Sequence, residues 1–157
     1  MVEFDTEATL CFVFEEDEVL LIEKKRGPGE GLFNGPGGKL EEAETPVDCA
    51  VRETQEETHV EPENPEKVGE LKFYFGEEPF MHVYIFKTDS YSGEPQETEE
   101  ANPEWFNTDN LPYEDMWPDD KYWVPLMLED KQFVGEFWFD EDGEEILDHE
   151  LEENDWS

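Results

Sequence analysis

Positive charge is what this chain lacks most: 10 Lys and Arg stand against 46 Asp and Glu in 157 residues, a formal net charge of −36. Phosphate backbones and anionic lipid headgroups repel such a polyanion, so neither nucleic acid nor a membrane surface is expected as a partner. Cysteine is nearly absent too. Cys11 and Cys49 make no disulfide framework in a chain of this length, and both are expected as small core filler. Long apolar runs are missing, and the longest, Ala8 to Phe14, is far too short to cross a bilayer. No basic segment followed by an apolar stretch and a small-residue cleavage site opens the sequence, so a cytoplasmic protein is expected. Repeats, low-complexity tracts and linker-like composition shifts are also missing, which points to one domain over residues 1–157.

A charge this high is usual in disordered chains, which have too little apolar surface to offset chain entropy. The aromatics argue against that here: 12 Phe, 5 Trp and 5 Tyr can each bury a large apolar area. The acids are also spread along the chain, at Glu15-Glu16-Asp17, Glu41-Glu42, Glu77-Glu78, Glu99-Glu100 and Glu144-Glu145, rather than gathered in a tail. That distribution reads as a folded domain with acid over its whole surface. Adaptation to molar salt would explain it, because at ~1 M the Debye length is only ~3 Å.

Periodicity outlines the elements. Ala8 to Phe14 and Val19 to Lys24 read as a hairpin around Glu15–Glu18. A glycine-rich loop follows, with six of the 11 glycines between Gly27 and Gly38, a density that calls for special backbone angles or close ligand approach. Thr45 is placed to cap a helix with Pro46 at its first position; its apolar side is Val47, Ala50, Val51 and Thr54, and Pro62 blocks any continuation. Strands are expected at Val68 to Phe75, Met81 to Thr88 and, briefly, Glu104 to Phe106. Trp117-Pro118-Asp119-Asp120 opens a second helix running to Leu128, and Asp142-Gly143 is a hairpin turn between Gln132–Asp140 and Glu145–Leu151. The fold class is α/β, a sandwich with a mixed sheet and two main helices.

In so acidic a chain the positions of the cations carry information. Lys24, Lys25, Arg26, Lys39 and Arg52 are half of the 10 bases, and both arginines are among them. They bracket the glycine loop and the first helix, a suitable place to hold a polyphosphate, although plain ion pairing is the competing explanation. On that helix Glu53, Glu56 and Glu57 stand at i, i+3 and i+4 and project from one face beside the apolar stripe. Three crowded carboxylates repel one another unless a cation sits between them. Mg²⁺ fits this need, being a hard cation that takes oxygen ligands and bridges phosphates, while a solvated acidic face is the plain alternative.

Gly38, Glu44, Arg52-Glu53 and Glu56-Glu57, at these spacings, resemble the Nudix box, the hallmark of the Nudix hydrolases. In this composition matching glutamates mean little, but one of only two arginines falling in register means a good deal. The chain departs from the box at Ala43, at Thr54 and at His59, where the family's glycine supplies a left-handed residue after the helix. Further stretches resemble the oxidised-purine nucleoside triphosphatases of this family: Lys24-Lys25-Arg26-Gly27, Asn34-Gly35 with Gly37-Gly38-Lys39, Met116-Trp117-Pro118-Asp119-Asp120, and Tyr122-Trp123 through Phe139 to Ile146-Leu147-Asp148.

The resemblance implies the Nudix α/β/α sandwich and hydrolysis of 8-oxo-dGTP, 2-hydroxy-dATP and relatives to the monophosphate and pyrophosphate. It implies Mg²⁺, with Mn²⁺ as the alternative ion, held by the Gly37 carbonyl, Glu53, Glu56, Glu57 and Glu100. It places the substrate against Thr9, Lys24, Asn34, Gly37, Gly38, Lys39, Phe73, Met81, Trp117, Asp119 and Asp120. Arg52 is expected to orient a glutamate rather than touch substrate, and Glu53 and Glu57 both stay open as the proton acceptor. Trp117 can stack on a purine while an acid pair sharing one proton reads its edge. Pro28 stands where the family carries an aromatic near the base, which leaves the pocket's shape and the preferred oxidised purine open. Two other readings remain: a Nudix enzyme for a dinucleoside polyphosphate or ADP-ribose, or a non-enzymatic acidic protein that imitates nucleic acid. A monomer acting on a small nucleotide is expected.

Overall fold

The structure, a computed structural model, describes residues 6–27 and 30–154, so Pro28 lies outside the described residues. The chain runs through β1 (Glu7–Glu15), β2 (Glu18–Lys24), β3 (Phe33–Asn34), β4 (Gly37–Lys39), α1 (Pro46–Thr58) and β5 (Glu61–Pro62). Next come β6 (Glu66–Phe75), β7 (Glu78–Thr88), β8 (Tyr91–Ser92), β9 (Ala101–Asn107), a 3-10 turn (Tyr113–Asp115), α2 (Asp120–Leu128), β10 (Gln132–Phe139) and β11 (Ile146–Asn154).

Nine strands form one mixed sheet in the order β11-β10-β6-β7-β1-β2-β3, with β4 also on β1 and β9 on β2. The β1–β7 and β6–β10 pairs are parallel, and the others in this sheet are antiparallel. β5 and β8 form a separate small pair. β10 alternates half-buried and buried residues along its length, the period-two pattern of a strand with one face on the core. β1 is buried on both faces, so its sequence is nearly continuous in apolar residues rather than alternating.

Those two faces define the layers. Ala8 and Phe12 face the main core, where Trp123, Val124 and Met127 of α2 pack with Leu71, Ile85, Phe133 and Phe137. Cys11 faces the other way, against Ala50 of α1 and Phe86. Both cysteines are free and buried, as expected of core filler. No helix among the described residues is long and apolar enough to cross a membrane.

Helix α1 begins as its sequence dictates, with Thr45 Oγ1 accepting the Asp48 N–H at 3.3 Å and Pro46 in the first turn. It stops at Thr58, where His59 turns left-handed (φ 66°, ψ 12°) at the position to which the resemblance assigns a left-handed residue, and Pro62 lies beyond it in β5. The inner face differs from expectation. Val47 is 37 % exposed and Val51 half-buried, because the first turn stays in solvent and burial begins at Cys49 and Ala50. Thr54 and Thr58 complete the inner face, each donating its hydroxyl to a carbonyl one turn back. β9 is longer than the short strand expected at Glu104 to Phe106, since it pairs with β2 from Glu18 to Lys24.

One irregularity builds the site. β1 and β2 pair through only Phe14–Val19 and Glu15–Glu18 beside their turn. β2 then diverges, and β4 takes the free edge of β1 at Ala8, Thr9 and Leu10. The end of the glycine loop is thereby sewn into the sheet directly under α1.

Candidate active site

Two glycines bring the β4 backbone against its neighbours. A Cβ at Gly37 would lie 1.9 Å from the Thr9 carbonyl oxygen, and one at Gly38 would lie 2.5 Å from the Glu53 carboxyl carbon. Gly37 thus lets β4 seat closely on β1, and Gly38 lets α1 seat closely on the loop. The Gly37 N–H donates to Glu57 Oε1 at 2.8 Å, and the Cys49 thiol donates to the Gly38 carbonyl at 3.4 Å.

Arg52 occupies the middle of the acidic cluster. Its Nε and Nη2 donate to the two Glu44 oxygens at 2.7 and 2.9 Å, a bidentate clamp. Nη2 also reaches the Lys39 carbonyl at 3.2 Å, while Nη1 donates to Glu53 at 2.8 Å and to Glu56 at 3.3 Å. The clamp holds the Glu44 carboxyl down to about 2 and raises the guanidinium above its usual range. Arg52 therefore orients glutamates, as expected. Lys39 contributes a carbonyl to this network.

The three helical glutamates lie at different depths rather than on one open face. Glu56 has a side chain 60 % exposed, Glu53 is half-buried, and Glu57 is buried. Desolvation raises the Glu53 carboxyl, opposed by Arg52. It raises Glu57 further, to about 7, opposed by the Gly37 N–H, with Glu53 and Glu100 adding to the rise and Lys24 countering it. Lys24 and Glu100 are thus brought to Glu57 from β2 and from the loop before β9. Glu100 itself pairs with Arg26 at 2.6 Å.

Among the described residues no three His, Cys, Asp or Glu side chains lie close enough together to hold a metal ion as they stand. Glu53 and Glu56 are drawn onto Arg52, and Glu100 onto Arg26. The donors nevertheless suit a hard divalent cation: all are oxygens, two are desolvated carboxylates, and Glu56 and Glu100 are exposed enough to turn.

A second group gathers on the α2 side. Phe73 packs on Phe137 and Phe139 at 5.9 and 6.1 Å between ring centres, and it pairs across strands with Met81. Trp117 is half-buried beside Asp119 and Asp120, which are only 4 % and 2 % exposed. Asp119 Oδ2 accepts the Trp123 indole N–H at 2.8 Å, whereas Asp120 Oδ2 is buried with no hydrogen-bond partner. Burial raises both carboxyls, Asp120 well above the usual range because the Asp119 charge adds to it. Asn34 is half-buried on β3, its Oδ1 accepting the Gly35 N–H at 2.8 Å. Thr9 is buried, and its hydroxyl lies 3.3 Å from Cys49 Sγ, on the face of β1 opposite Ala8 and Leu10.

Sequence reasoning missed Trp123 as the partner of Asp119. The signal was present, since Asp119 and Trp123 are four residues apart at a helix start and so share a face.

The chain belongs to the Nudix hydrolase family: residues 5–127 match the NUDIX domain. It is 46% identical over 148 residues to an oxidized purine nucleoside triphosphate hydrolase of Mus musculus, covering 94% of each chain. A hydrolase of the same description from Danio rerio is 44% identical over 146 residues, covering 92% of this chain and 93% of that one. Among solved structures, the MutT protein of Bacillus halodurans superposes with a TM-score of 0.84 at 29% identity, covering 94% of this chain and 97% of that one.

Proposed function

We propose that this protein hydrolyses oxidised purine nucleoside triphosphates, such as 8-oxo-dGTP and 2-hydroxy-dATP, to the monophosphate and pyrophosphate. The observation that carries the reading is the buried acid pair, with Asp120 Oδ2 left unpartnered beside the half-buried Trp117. A buried polar atom without a partner is costly, and an N–H or O–H on a purine edge would satisfy it. Near full-length likeness to hydrolases of oxidised purine triphosphates supports the same substrate class.

In this reading Trp117 stacks on the base while Phe73 and Met81 close the pocket around it. Asp119, held by Trp123, accepts a hydrogen bond from the base, and Asp120 keeps its proton because two adjacent buried acids do not both ionise. A pair that can exchange one proton can serve purines whose edges differ in donors and acceptors. Lys24 lies where a phosphate would pass above Glu57, and Asn34 borders the base side.

Mg²⁺, or Mn²⁺ in its place, would be held by Glu53, Glu56, Glu57, Glu100 and the Gly37 carbonyl. Such an ion supplies the charge that polarises a phosphoryl oxygen and acidifies a water. Glu53 and Glu56, bonded to Arg52 Nη1 as they stand, would turn from it towards the ion, and Glu44 keeps Arg52 from turning to the substrate. The acidic surface supports a cytoplasmic monomer adapted to molar salt.

The test is a nucleotide panel with Mg²⁺ in molar KCl, run on the wild type and on Asp119→Asn. Pyrophosphate release well above that from ordinary triphosphates, re-ranked among oxidised purines in the variant, is the expected result. A flat profile across bases, or preference for ADP-ribose, assigns another Nudix substrate. No turnover by the folded protein leaves a binding protein, and equal loss on every base in Asp119→Asn makes that residue structural.

A further inference from the structure

Helix α1 ends without internal partners for its last carbonyls, as every helix does. Here the loop before β9 takes two of them. The Gln96 N–H donates to the Thr58 carbonyl at 2.8 Å, and the Thr98 hydroxyl donates to the Glu57 carbonyl at 3.0 Å. The same Thr98 oxygen accepts the Ala101 N–H at 3.2 Å and the Glu100 N–H at 3.3 Å. The Thr98 N–H closes the turn on the Ala101 carbonyl at 2.9 Å, and the Glu100 carbonyl accepts the Lys25 N–H at 3.0 Å. One hydroxyl thus joins the backbone of Glu57 to the backbone of Glu100, two residues 43 positions apart in sequence.

We propose that Thr98 is a positioning residue for the cation-binding carboxylates: its hydroxyl fixes the loop bearing Glu100 to the end of the helix bearing Glu53, Glu56 and Glu57. Glu100 is exposed, and among the described residues its side chain is tied only to Arg26. Its reach towards Glu57 is therefore set by its backbone, which Thr98 holds. Residues that orient ligands in this way are typically worth ~10- to 100-fold in metal affinity. Serine keeps the hydroxyl and valine keeps the shape without it, so the role belongs to the oxygen.

The proposal rests on the reading of these four glutamates as cation ligands, and the experiment separates the two. Mn²⁺ binding is titrated by electron paramagnetic resonance in molar KCl, which screens weak binding to the acidic surface, for the wild type, Thr98→Val, Thr98→Ser, Glu100→Gln, Glu56→Gln and the double variant Thr98→Val/Glu100→Gln. Thr98→Val is expected to lose about tenfold in affinity, Thr98→Ser to stay within about twofold of wild type, and the double variant to bind no worse than Glu100→Gln alone, because Thr98 acts through Glu100. Should valine prevent folding, Thr98→Ala carries the same comparison. Losses from Thr98→Val and Glu100→Gln that simply add, or unchanged affinity in Thr98→Val with only a lower melting temperature, overturn the proposal and leave Thr98 a structural clamp. Unchanged Mn²⁺ affinity in Glu56→Gln overturns the cation-site reading itself.

Discussion

Glu57 stores an electrostatic cost that metal-free unfolding should expose. It is 7 % exposed, and burial raises its carboxyl from 4.5 to about 7, even with the Gly37 N–H on one oxygen. At ~1.4 kcal/mol per pH unit, the gap between 4.5 and about 7 corresponds to ~3 kcal/mol, an upper figure for a buried group. Its sign follows from proton binding. Between those two values the folded protein holds the proton and the unfolded chain has released it, so stability falls as pH rises. Below 4.5 both states are protonated and the cost is absent; above about 7 both are ionised and the cost is complete. Glutamine keeps an oxygen for the Gly37 N–H and carries no charge at any pH. In chelator, Glu57→Gln should therefore match the wild type near pH 4 to 5 and exceed it by up to ~3 kcal/mol near pH 8, or roughly 6–12 °C in melting temperature for a chain of this size. Urea unfolding of both proteins across that range measures the difference, and subtracting one from the other cancels the titrating groups that do not interact with Glu57. Added Mg²⁺ should then stabilise the wild type more than the variant. A difference that stays flat with pH would refute the claim that Glu57 is held against its own desolvation.

Three further outcomes are expected. Glu56→Gln should abolish turnover while moving the melting temperature little, because its side chain is largely solvent-exposed; more than a tenth of wild-type activity would count against its role. His59→Gly should stabilise the fold by ~0.5–1 kcal/mol, since His59 holds φ 66° after α1 and glycine adopts that conformation without strain; an unchanged or lower melting temperature would show that the imidazole offsets the strain. Melting temperature and substrate affinity should both rise with KCl into the molar range, as screening relieves the repulsion of 36 net negative charges from one another and from a polyanionic substrate; a flat or falling melting temperature would end the case for salt adaptation.

Local sequence carried much of this fold. The Thr45-Pro46 helix start, the hairpin between β1 and β2, the Asp142-Gly143 turn and the second helix after Pro118 all lie where short-range chemistry places them. The left-handed His59 was legible as well, through the glycine it replaces in the family pattern. Less legible were features set by distant chain. The short strands β3, β4, β5 and β8 have no periodicity of their own: β3 and β4 form on edges that β2 and β1 leave open, and β5 and β8 pair only with each other. The Thr9–Cys49 contact joins two residues 40 positions apart, a distance that local pattern does not reach. The spacing of Glu53, Glu56 and Glu57 placed them near one another but could not rank their burial, because that depends on how closely Gly38 lets the helix approach the loop.

Arg52 makes this helix self-sufficient in charge. Its guanidinium lies among Glu44, Glu53 and Glu56 and is anchored by the Lys39 carbonyl. A cluster neutralised only by a dissociable ion would come apart whenever that ion ran short, and its abundance would follow the cell's supply of divalent metal. With a covalent cation built into its centre, the helix can lose the ion and keep its shape. On the proposed metal dependence, scarcity of metal would be a pause in activity rather than a loss of protein, and resupply would restore function without refolding.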